Sequence, residues 1–248
     1  MRPLDRSDTR SSAESRLIVI HDQLQDCPYL PKAIARMPLR LPIGELDGAA
    51  LDSLLALGYR RTGDFLYRTQ CPMCQACEPT RLVVQQFDWS RSFRRVLRRG
   101  DADLAMSIGP PQCDAERIEL FNRHRHVRGL ACDDEPVDER SYRAFLVESC
   151  CESIELTFIY QGQLVAVAVV DVGQDSLSAV YTHFDPQLHR YSLGTYAVLK
   201  QIEYAAATGR TYVYLGMYVA ANSHLNYKSR FQPQQRLVQG KWRAETRN

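Results

Sequence analysis

The stretch Ser176-Leu-Ser-Ala-Val-Tyr-Thr-His183, followed further on by Tyr212-Val-Tyr-Leu-Gly216, decides the fold of this chain. The first run alternates apolar and polar residues, which is typical of a half-buried strand, and the second reads as a fully buried strand. A helix is predicted between them because apolar residues recur there at helical spacing: Val198, Ile202 and Ala205. The segment is therefore predicted to be a strand–loop–helix–strand unit of a mixed α/β fold.

The loop Arg190-Tyr-Ser-Leu-Gly-Thr195 precedes that helix. Such a loop can aim backbone N–H groups at an anion or a polarised oxygen. It contains one glycine, so a plain strand–helix connection fits it equally well. The order and spacing of four motifs is more specific: Phe184-Asp-Pro186, Ser192-Leu-Gly-Thr-Tyr196, Tyr212-Val-Tyr-Leu-Gly216 and Tyr227-Lys-Ser-Arg-Phe-Gln-Pro233.

Together these motifs resemble the C-terminal half of the aminoacyl-tRNA–protein transferases of the N-degron pathway. Cys27-Pro-Tyr-Leu-Pro31 and Cys71-x-x-Cys74-x-Ala-Cys77-x-Pro-x-Arg81 resemble the N-terminal domain of the same family. The chain looks like the compact bacterial branch, which moves leucine from leucyl-tRNA to proteins that begin with Asp or Glu. The resemblance implies a C-terminal domain with the mixed α/β fold of the acetyltransferase (GNAT) superfamily.

Composition limits the alternatives. With 31 basic and 29 acidic residues the net charge is +2, so contact with nucleic acid requires a local basic patch. No apolar run approaches the length of a membrane span, and the N-terminus lacks a signal peptide's apolar core. A cytoplasmic protein with reduced cysteines is therefore expected. Its predicted parts are a disordered tail over 1–15, a cysteine-containing domain over 16–100 and an acyltransferase domain over 101–248.

The cysteines Cys71, Cys74 and Cys77 are spaced as a metal-binding pincer with a third thiolate. Cys27 is a candidate fourth ligand, which gives a zinc site or an iron–sulfur cluster. Reduced thiols packed in a tight turn are the alternative. In eukaryotic arginyl relatives the corresponding cysteines are associated with iron–sulfur binding. The remaining cysteines are expected to be small core residues: Cys113, Cys132, Cys150 and Cys151.

Residues 87–100 predict an amphipathic helix with Ser90 as its N-cap and Gly100 as its stop. One face is apolar and consists of Trp89, Phe93, Val96 and Leu97. The other face, an arc of about 140°, carries five arginines without an acid: Arg91, Arg94, Arg95, Arg98 and Arg99. We expect these arginines to contact tRNA phosphates, with a solvated basic face as the alternative.

Other segments predict a strand over 16–20, extended chain over 39–42 and helices over 46–57, 114–130 and 142–151. Two strands, 154–160 and 164–172, form a hairpin around Gln161-Gly162.

The reaction that the resemblance implies is attack by an N-terminal amine on the ester that joins an amino acid to tRNA. The amine has a pKa near 8, so positioning and oxyanion stabilisation are expected to supply most of the rate. Ser192, Leu193 and Gly194 are placed to offer backbone donors, and Asp185 is the candidate that orients or deprotonates the amine. Tyr181 and Tyr214 are expected to line the pocket. Each of these residues also has a purely structural interpretation.

An acidic acceptor residue requires a cation to recognise it. Lys228 and Arg230, with Tyr227 in the same motif, and Arg81 beside the cysteines are the candidates. Three other functions remain open at this point: an arginyl-tRNA–protein transferase, an acyl-CoA-dependent N-acyltransferase and a non-enzymatic zinc-containing RNA-binding protein.

Overall fold

An eight-stranded mixed sheet forms the centre of the computed structural model, which describes residues 13–130 and 135–245. From edge to edge its strands are Lys241–Glu245 (β14), Gln234–Val238 (β13), Glu78–Val83 (β7), Tyr212–Tyr218 (β12), Ser176–Phe184 (β11), Gln163–Val172 (β10), Ser153–Tyr160 (β9) and Ala105–Gly109 (β8). A second sheet contains Leu17–His21 (β1), Leu39–Pro42 (β4), Phe65–Tyr67 (β6) and Arg60–Thr62 (β5). A small ribbon pairs Leu24–Asp26 (β2) with Ile34–Arg36 (β3).

Helices cover the sheets and begin at the side-chain caps that the sequence provides. They are Gly48–Ala56 (α1), Arg91–Asp103 (α2), Ala115–Val127 (α3), Glu139–Tyr142 (α4) with a π-helical continuation Arg143–Val147, and Leu193–Ala207 (α5). The carboxylates of Asp47 and Asp114 and the hydroxyl of Ser90 each accept a bond from a backbone N–H in the first turn. No helix in the described ranges is long and apolar enough to cross a membrane.

β11 and β12 are the parallel neighbours in this sheet, and α5 connects them. Their pairing extends only from Ser176, opposite Tyr212, to Ser178, opposite Tyr214. Beyond that point both strands continue without pairing to each other, which leaves a gap between them. The predicted mixed α/β fold is confirmed.

The sequence prediction that Gly100 ends the arginine-rich helix is wrong. α2 continues to Asp103, and its end is marked by Leu104, whose N–H bonds to the carbonyl of Gly100. Glycine is required at position 100 for another reason: a Cβ there would lie 2.2 Å from the ring of Tyr196 on α5. The close contact between α2 and α5 depends on this missing side chain.

The apolar residues of α2 pack where the sequence places them. Phe93 and Leu97 are buried in the core between α5 and the central sheet, with Trp89 and Val96 partly buried beside them. β7 and α2 therefore belong to the central sheet and its core, although both fall in the segment 16–100. The domain boundary at residue 100 stays a prediction.

Most other predicted elements are confirmed within a few residues. The hairpin turn at Gln161 and Gly162 has positive φ angles of 51° and 80°, as a tight hairpin requires. The helix predicted over 142–151 lies instead at 139–147, because Asp138 caps it earlier in the chain. Cys150 and Cys151 are buried, as expected, while Cys113 is half-buried. Cys132 and most of the predicted tail lie outside the described residues.

Candidate functional site

Two cavities open along the gap between β11 and β12. The first, here called the N-side cavity, has about 460 Å³ and lies between the gap and residues 60–67 of the second sheet. The other, the loop-side cavity, has about 530 Å³ and is bounded by the turn Pro186–Tyr191, the start of α5 and residues 223–230. The residues that line both cavities form a shared wall, and they are Ala179, Val180, Tyr181, Leu215, Leu225 and Lys228.

Lys228 is the charged residue of this shared wall. Its side chain is buried, and its Nζ donates to the carbonyl oxygen of Met217 on β12 at 2.7 Å. Burial, and secondarily the charge of Arg60, lower the pKa of Lys228 to about 7. A substantial fraction of this amine is therefore neutral near pH 7 and able to accept a proton.

Arg60 lines the N-side cavity and is only 4% exposed. One terminal nitrogen, Nη1, donates to the carbonyl of Tyr59 at 2.5 Å. Its other two nitrogens, Nε and Nη2, are buried without a hydrogen-bond partner among the described residues. Burial lowers the pKa of Arg60 to about 10, at which the guanidinium remains charged at neutral pH.

Arg61, the next residue, lines the same cavity but is already paired. Its Nε donates to Asp171 at 2.7 Å, and Nη1 donates to the carbonyl of Glu148 at 3.0 Å. This buried ion pair joins β5 to β10. Arg61 is therefore structural at this edge, and the charge of Arg60 lacks a carboxylate partner in the described part of the chain.

The start of α5 forms one side of the loop-side cavity. Ser192 has left-handed φ and ψ angles of 51° and 48°, and its N–H already bonds to the carbonyl of His189. This N–H is therefore occupied in the structure, and its predicted role as a donor to the substrate stays a prediction. Leu193 and Gly194 line the cavity in the first turn, where helical N–H groups have no partner within the helix. A Cβ at Gly194 would lie 2.9 Å from the ring of Phe184.

Asp185 lies in the loop-side cavity and has a structural bond as well. Its carboxylate accepts from the N–H of Gln187 at 2.9 Å and lies 3.5 Å from Nη2 of Arg123. Tyr181 lies in the shared wall as predicted, half-buried against the rings of Phe121 and Phe145. The chemical roles predicted for Asp185 and Tyr181 stay predictions.

Tyr214, expected to line the pocket, and Arg81, a candidate for recognising the acceptor, line neither of these two cavities, and their roles stay predictions. The Arg81 guanidinium lies between the rings of Tyr212 and Trp242, at 4.0 and 4.2 Å from their centroids. It also donates to Gln235 at 2.7 Å and to the hydroxyl of Tyr214 at 3.1 Å. Alternation along each strand explains this placement, because Tyr214 points to the opposite face of the sheet from Leu215.

Several basic side chains line the loop-side cavity. Arg230 and Tyr227, both predicted as substrate-binding residues, line it and are exposed. Arg128, His189 and His224 line it as well. The cavity has one acidic side chain among its described lining residues, that of Asp185. The opening is therefore suited to a negatively charged ligand.

The arginine face of α2 is exposed and lies beside this cavity. Nη1 of Arg99 donates to the carbonyl of Arg190 at 2.5 Å, which connects α2 to the turn that lines the cavity. Nε of Arg94 donates to the carbonyl of Trp89 at 2.7 Å. The other three arginines have no bonded partner among the described residues: Arg91, Arg95 and Arg98. They lie at positions i, i+4 and i+7, hence on one helical face.

The four cysteines Cys27, Cys71, Cys74 and Cys77 line neither cavity, although Cys27 and Cys77 lie near Tyr29, which lines the N-side cavity. Burial, together with the nearby thiols of Cys27, Cys71 and Cys74, raises the pKa of Cys77 to about 12. Cys71 accepts a bond from the backbone N–H of Arg36 at 3.4 Å. Among the described residues, no three His, Cys, Asp or Glu side chains converge closely enough to hold a metal ion. The four thiols are thus neighbours, but their present arrangement does not fit a metal, and the zinc or iron–sulfur site stays a prediction.

Elemental analysis tests this prediction directly. If the four thiols close around an ion, anaerobically purified protein should contain about one zinc, or the iron of one cluster, per chain. Cys74→Ser should then remove the metal and lower the melting temperature, because binding of a structural metal is coupled to folding. Cys113→Ser is the matched control and should retain the metal. Metal-free wild-type protein with full activity would favour packed, reduced thiols.

Sequence reasoning missed Arg60, and nothing local in the sequence distinguishes it. Arg60 and Arg61 are adjacent, and either could pair with an acid elsewhere in the chain. Only the three-dimensional arrangement shows that Arg61 has the carboxylate of Asp171, while Arg60 faces a cavity. The sequence also did not identify the residues of the apolar pocket, and the apolar lining of the loop-side cavity includes Val180, Leu188, Val198, Leu215 and Leu225.

Known solved structures give only weak likenesses. The chain matches L-PGS from Bacillus licheniformis with a TM-score of 0.46 and 12% identity, covering 71% of this chain and 53% of that one. It matches a GCN5-related N-acetyltransferase from Kribbella flavida with a TM-score of 0.33 and 12% identity, covering 56% and 47%. At these values the likeness supports no conclusion about function.

Sequence comparisons are decisive about the family. The models of the arginine-tRNA-protein transferase N terminus and C terminus match residues 25–95 and 116–238. The aspartate/glutamate leucyltransferase of Acinetobacter baumannii is 38% identical, over 90% of this chain and 82% of the relative. Those of Marinobacter nauticus and Chromobacterium violaceum are each 40% identical over 88% of this chain, and cover 92% and 90% of the relatives. These matches include the cysteine cluster, the shared wall and the start of α5, so the chain belongs to the arginine-tRNA-protein transferase family.

Proposed function

We propose that this protein transfers leucine from leucyl-tRNA to the N-terminal amine of proteins that begin with Asp or Glu. The observation that carries the proposal is the shared wall, in which Lys228 lies between two cavities. A transferase with two large substrates requires two binding regions that meet at the reacting atoms. The names of the curated relatives supply the leucyl donor and the acidic acceptors.

The donor belongs in the loop-side cavity. The arginine face of α2 lies beside this cavity, and Arg128 and Arg230 line it. These arginines can neutralise the phosphates of a tRNA that lies along α2 and reaches the opening of the cavity. The inner part is apolar and suits a leucine side chain. An arginyl donor would require a free carboxylate, whereas Asp185, the acidic side chain of the described lining, already interacts with Gln187 and Arg123. Leucine is therefore the better match.

The acceptor belongs in the N-side cavity. Its described lining contains two guanidinium groups and one amine, and no carboxylate: Arg60, Arg61 and Lys228. An acidic first residue would supply the missing negative charge. Lys228 also borders the donor, so an amine beside it lies where the two substrates meet.

In the reaction, the neutral amine attacks the ester carbonyl, forms the amide C–N bond and breaks the bond to the ribose oxygen. Neutral Lys228 accepts the proton that the acceptor amine loses and passes it to the departing ribose oxygen, so that protons balance and the amine of Lys228 is neutral again. The free N–H groups in the first turn of α5 stabilise the carbonyl oxygen while it carries negative charge. Lys228 thus takes the proton-transfer role that the sequence assigned to Asp185. Since the donor is an aminoacyl-tRNA, we place the reaction in the cytoplasm.

The other functions considered explain less. An acyl-CoA transferase would not require the arginine face of α2, and a non-enzymatic RNA-binding protein would not require two cavities with a shared wall. The sharpest test offers radiolabelled leucyl-tRNA and arginyl-tRNA, each with peptides that begin with Asp, Glu or Ala. We expect label from leucyl-tRNA on the Asp and Glu peptides alone. Preferred use of arginyl-tRNA would overturn the donor assignment, and transfer from acetyl-CoA alone would overturn the reaction class.

A further inference from the structure

Arg60 lines the N-side cavity, and one edge of its buried guanidinium makes no hydrogen bond within the described residues. Nε and Nη2 both lack a partner among the described residues, and they are adjacent N–H groups on one side of the planar guanidinium. A buried polar group without a partner costs free energy, and a charged one costs more. Such an arrangement is explained if a ligand supplies the missing acceptors.

Two other arginines of this protein bind carboxylates through the same pair of atoms, Nε and Nη2. Nε and Nη2 of Arg36 donate to the two oxygens of Asp22 at 2.8 and 2.6 Å. Nε and Nη2 of Arg117 likewise contact both oxygens of Glu155. The two-point contact with an Asp or Glu side chain is therefore the one that the free edge of Arg60 is shaped to make.

Arg60 has no carboxylate partner among the described residues, and its internal contact is with the ring of Tyr214, whose centroid lies 5.2 Å from the guanidinium carbon. The titratable neighbours that act on its pKa are Tyr214, Tyr67 and Arg81, and none is a carboxylate. The carboxylate of Asp171 is bonded to Arg61, the neighbouring residue of the same strand. Lys228 is close enough for Arg60 to lower its pKa, so two basic side chains lie together in the described part of the cavity wall.

We propose that Arg60 is the specificity-determining residue that binds the side-chain carboxylate of the acceptor's first residue. The inference rests on the proposed transfer reaction and names the group that recognises its acceptor. Lys228 then lies on the side of the cavity that faces the donor, beside the acceptor's amine. An acceptor with Asn or Gln in first position leaves the charge of Arg60 unpaired and is rejected for that reason.

The test compares wild type with Arg60→Met and Arg60→Lys. Acceptors are peptide pairs that differ only in the first residue, Glu against Gln and Asp against Asn. We expect Arg60→Met to lower kcat/KM for Glu and Asp peptides by about 100-fold, while kcat/KM for Gln and Asn peptides changes by less than about threefold. Arg60→Lys keeps the charge but loses the two-point contact, so its discrimination should be intermediate.

Arg68→Met is the matched control, since Arg68 is an arginine of the same region outside both cavities. Its discrimination between Glu and Gln should equal that of wild type. A misfolded variant would lose Glu and Gln peptides equally, and Arg60→Lys then decides the question. Unchanged discrimination in a folded Arg60 variant would overturn the inference and leave leucyl transfer intact. Wild-type protein that transfers no leucine to any peptide would instead overturn the proposed function.

Discussion

Lys228→Met is expected to abolish transfer to acidic acceptors and to make the folded protein more stable. Loss of the proton acceptor should lower kcat by about 10²- to 10⁴-fold for Asp and Glu peptides alike. Wild-type kcat/KM should rise with pH through about 7, where the Lys228 amine becomes neutral, and the variant should lose this inflection. This loss of kcat differs from the effect expected of the Arg60 variants. Lys228→Met should slow transfer to every acceptor peptide, whereas Arg60→Met should slow transfer only to peptides that begin with Asp or Glu.

The gain in stability follows from the direction of the pKa shift. The pKa of Lys228 is about 7 in the folded protein and 10.5 as the ordinary value, so the unfolded chain binds the proton more tightly. The folded state therefore pays for burying the charge at pH 7 and below, and this cost fades between pH 7 and 10.5. Removing the lysine should raise the free energy of unfolding by on the order of 2 kcal/mol near neutral pH, less the lost bond to Met217.

Lys200→Met is the matched control because its environment is opposite. Lys200 lies 3.3 Å from Asp101, and it also pairs with Glu203. Partial burial is the largest single influence and lowers the pKa of Lys200, but the two carboxylates together outweigh it and raise the pKa. The ion pairs of Lys200 therefore stabilise the folded protein fully below pH 10.5, and this stabilisation is lost as the pH rises above the raised pKa of Lys200. Lys200→Met should therefore lose a little stability and keep its activity. Denaturant unfolding at pH 6, 7 and 9 measures both variants, and a destabilised Lys228→Met would contradict the account.

The sequence predicts the local elements well, because their caps, periodicities and turns are local properties. Ser90 caps α2, and Gln161 and Gly162 form the hairpin turn as expected. Gly100 was misread because a glycine that accommodates the Tyr196 ring looks the same in sequence as one that ends a helix. The difference lies in a contact between residues far apart in the chain.

The site was harder to predict because it, too, depends on contacts between residues far apart in the chain. Lys228 and Tyr181 were found through their motifs, and both lie in the shared wall. Arg81 was a candidate because of its charge, and the sequence could not show that its side chain lies between two rings, outside both cavities. Arg60 was missed because the lack of a partner is a property of the whole fold. Sequence patterns identify charges, but only packing determines which charge remains unpaired.

The second large effect is expected on tRNA binding, when arginines on the exposed face of α2 are replaced. Arg95 and Arg98 have exposed guanidinium groups without a bonded partner in the described residues, whereas Arg94 and Arg99 bind backbone carbonyls. Changing Arg95 and Arg98 together to Gln keeps helix propensity and removes two charges. If both contact phosphates, the slope of log affinity against log salt should become shallower by about two units.

The kinetic consequence separates the two substrates. The double variant should raise KM for leucyl-tRNA by about tenfold or more at moderate salt, while KM for the peptide is unchanged, since the N-side cavity lies away from α2. The matched control is Arg140→Gln with Arg143→Gln, which removes the same charge from exposed positions on and directly after α4. Equal losses in both double variants would indicate a general effect of net charge. Wild-type tRNA affinity at low and high salt in the α2 variant would show a solvated basic face. A shallower slope confined to that variant would place the tRNA along α2, leading to the cavity where its ester is cleaved.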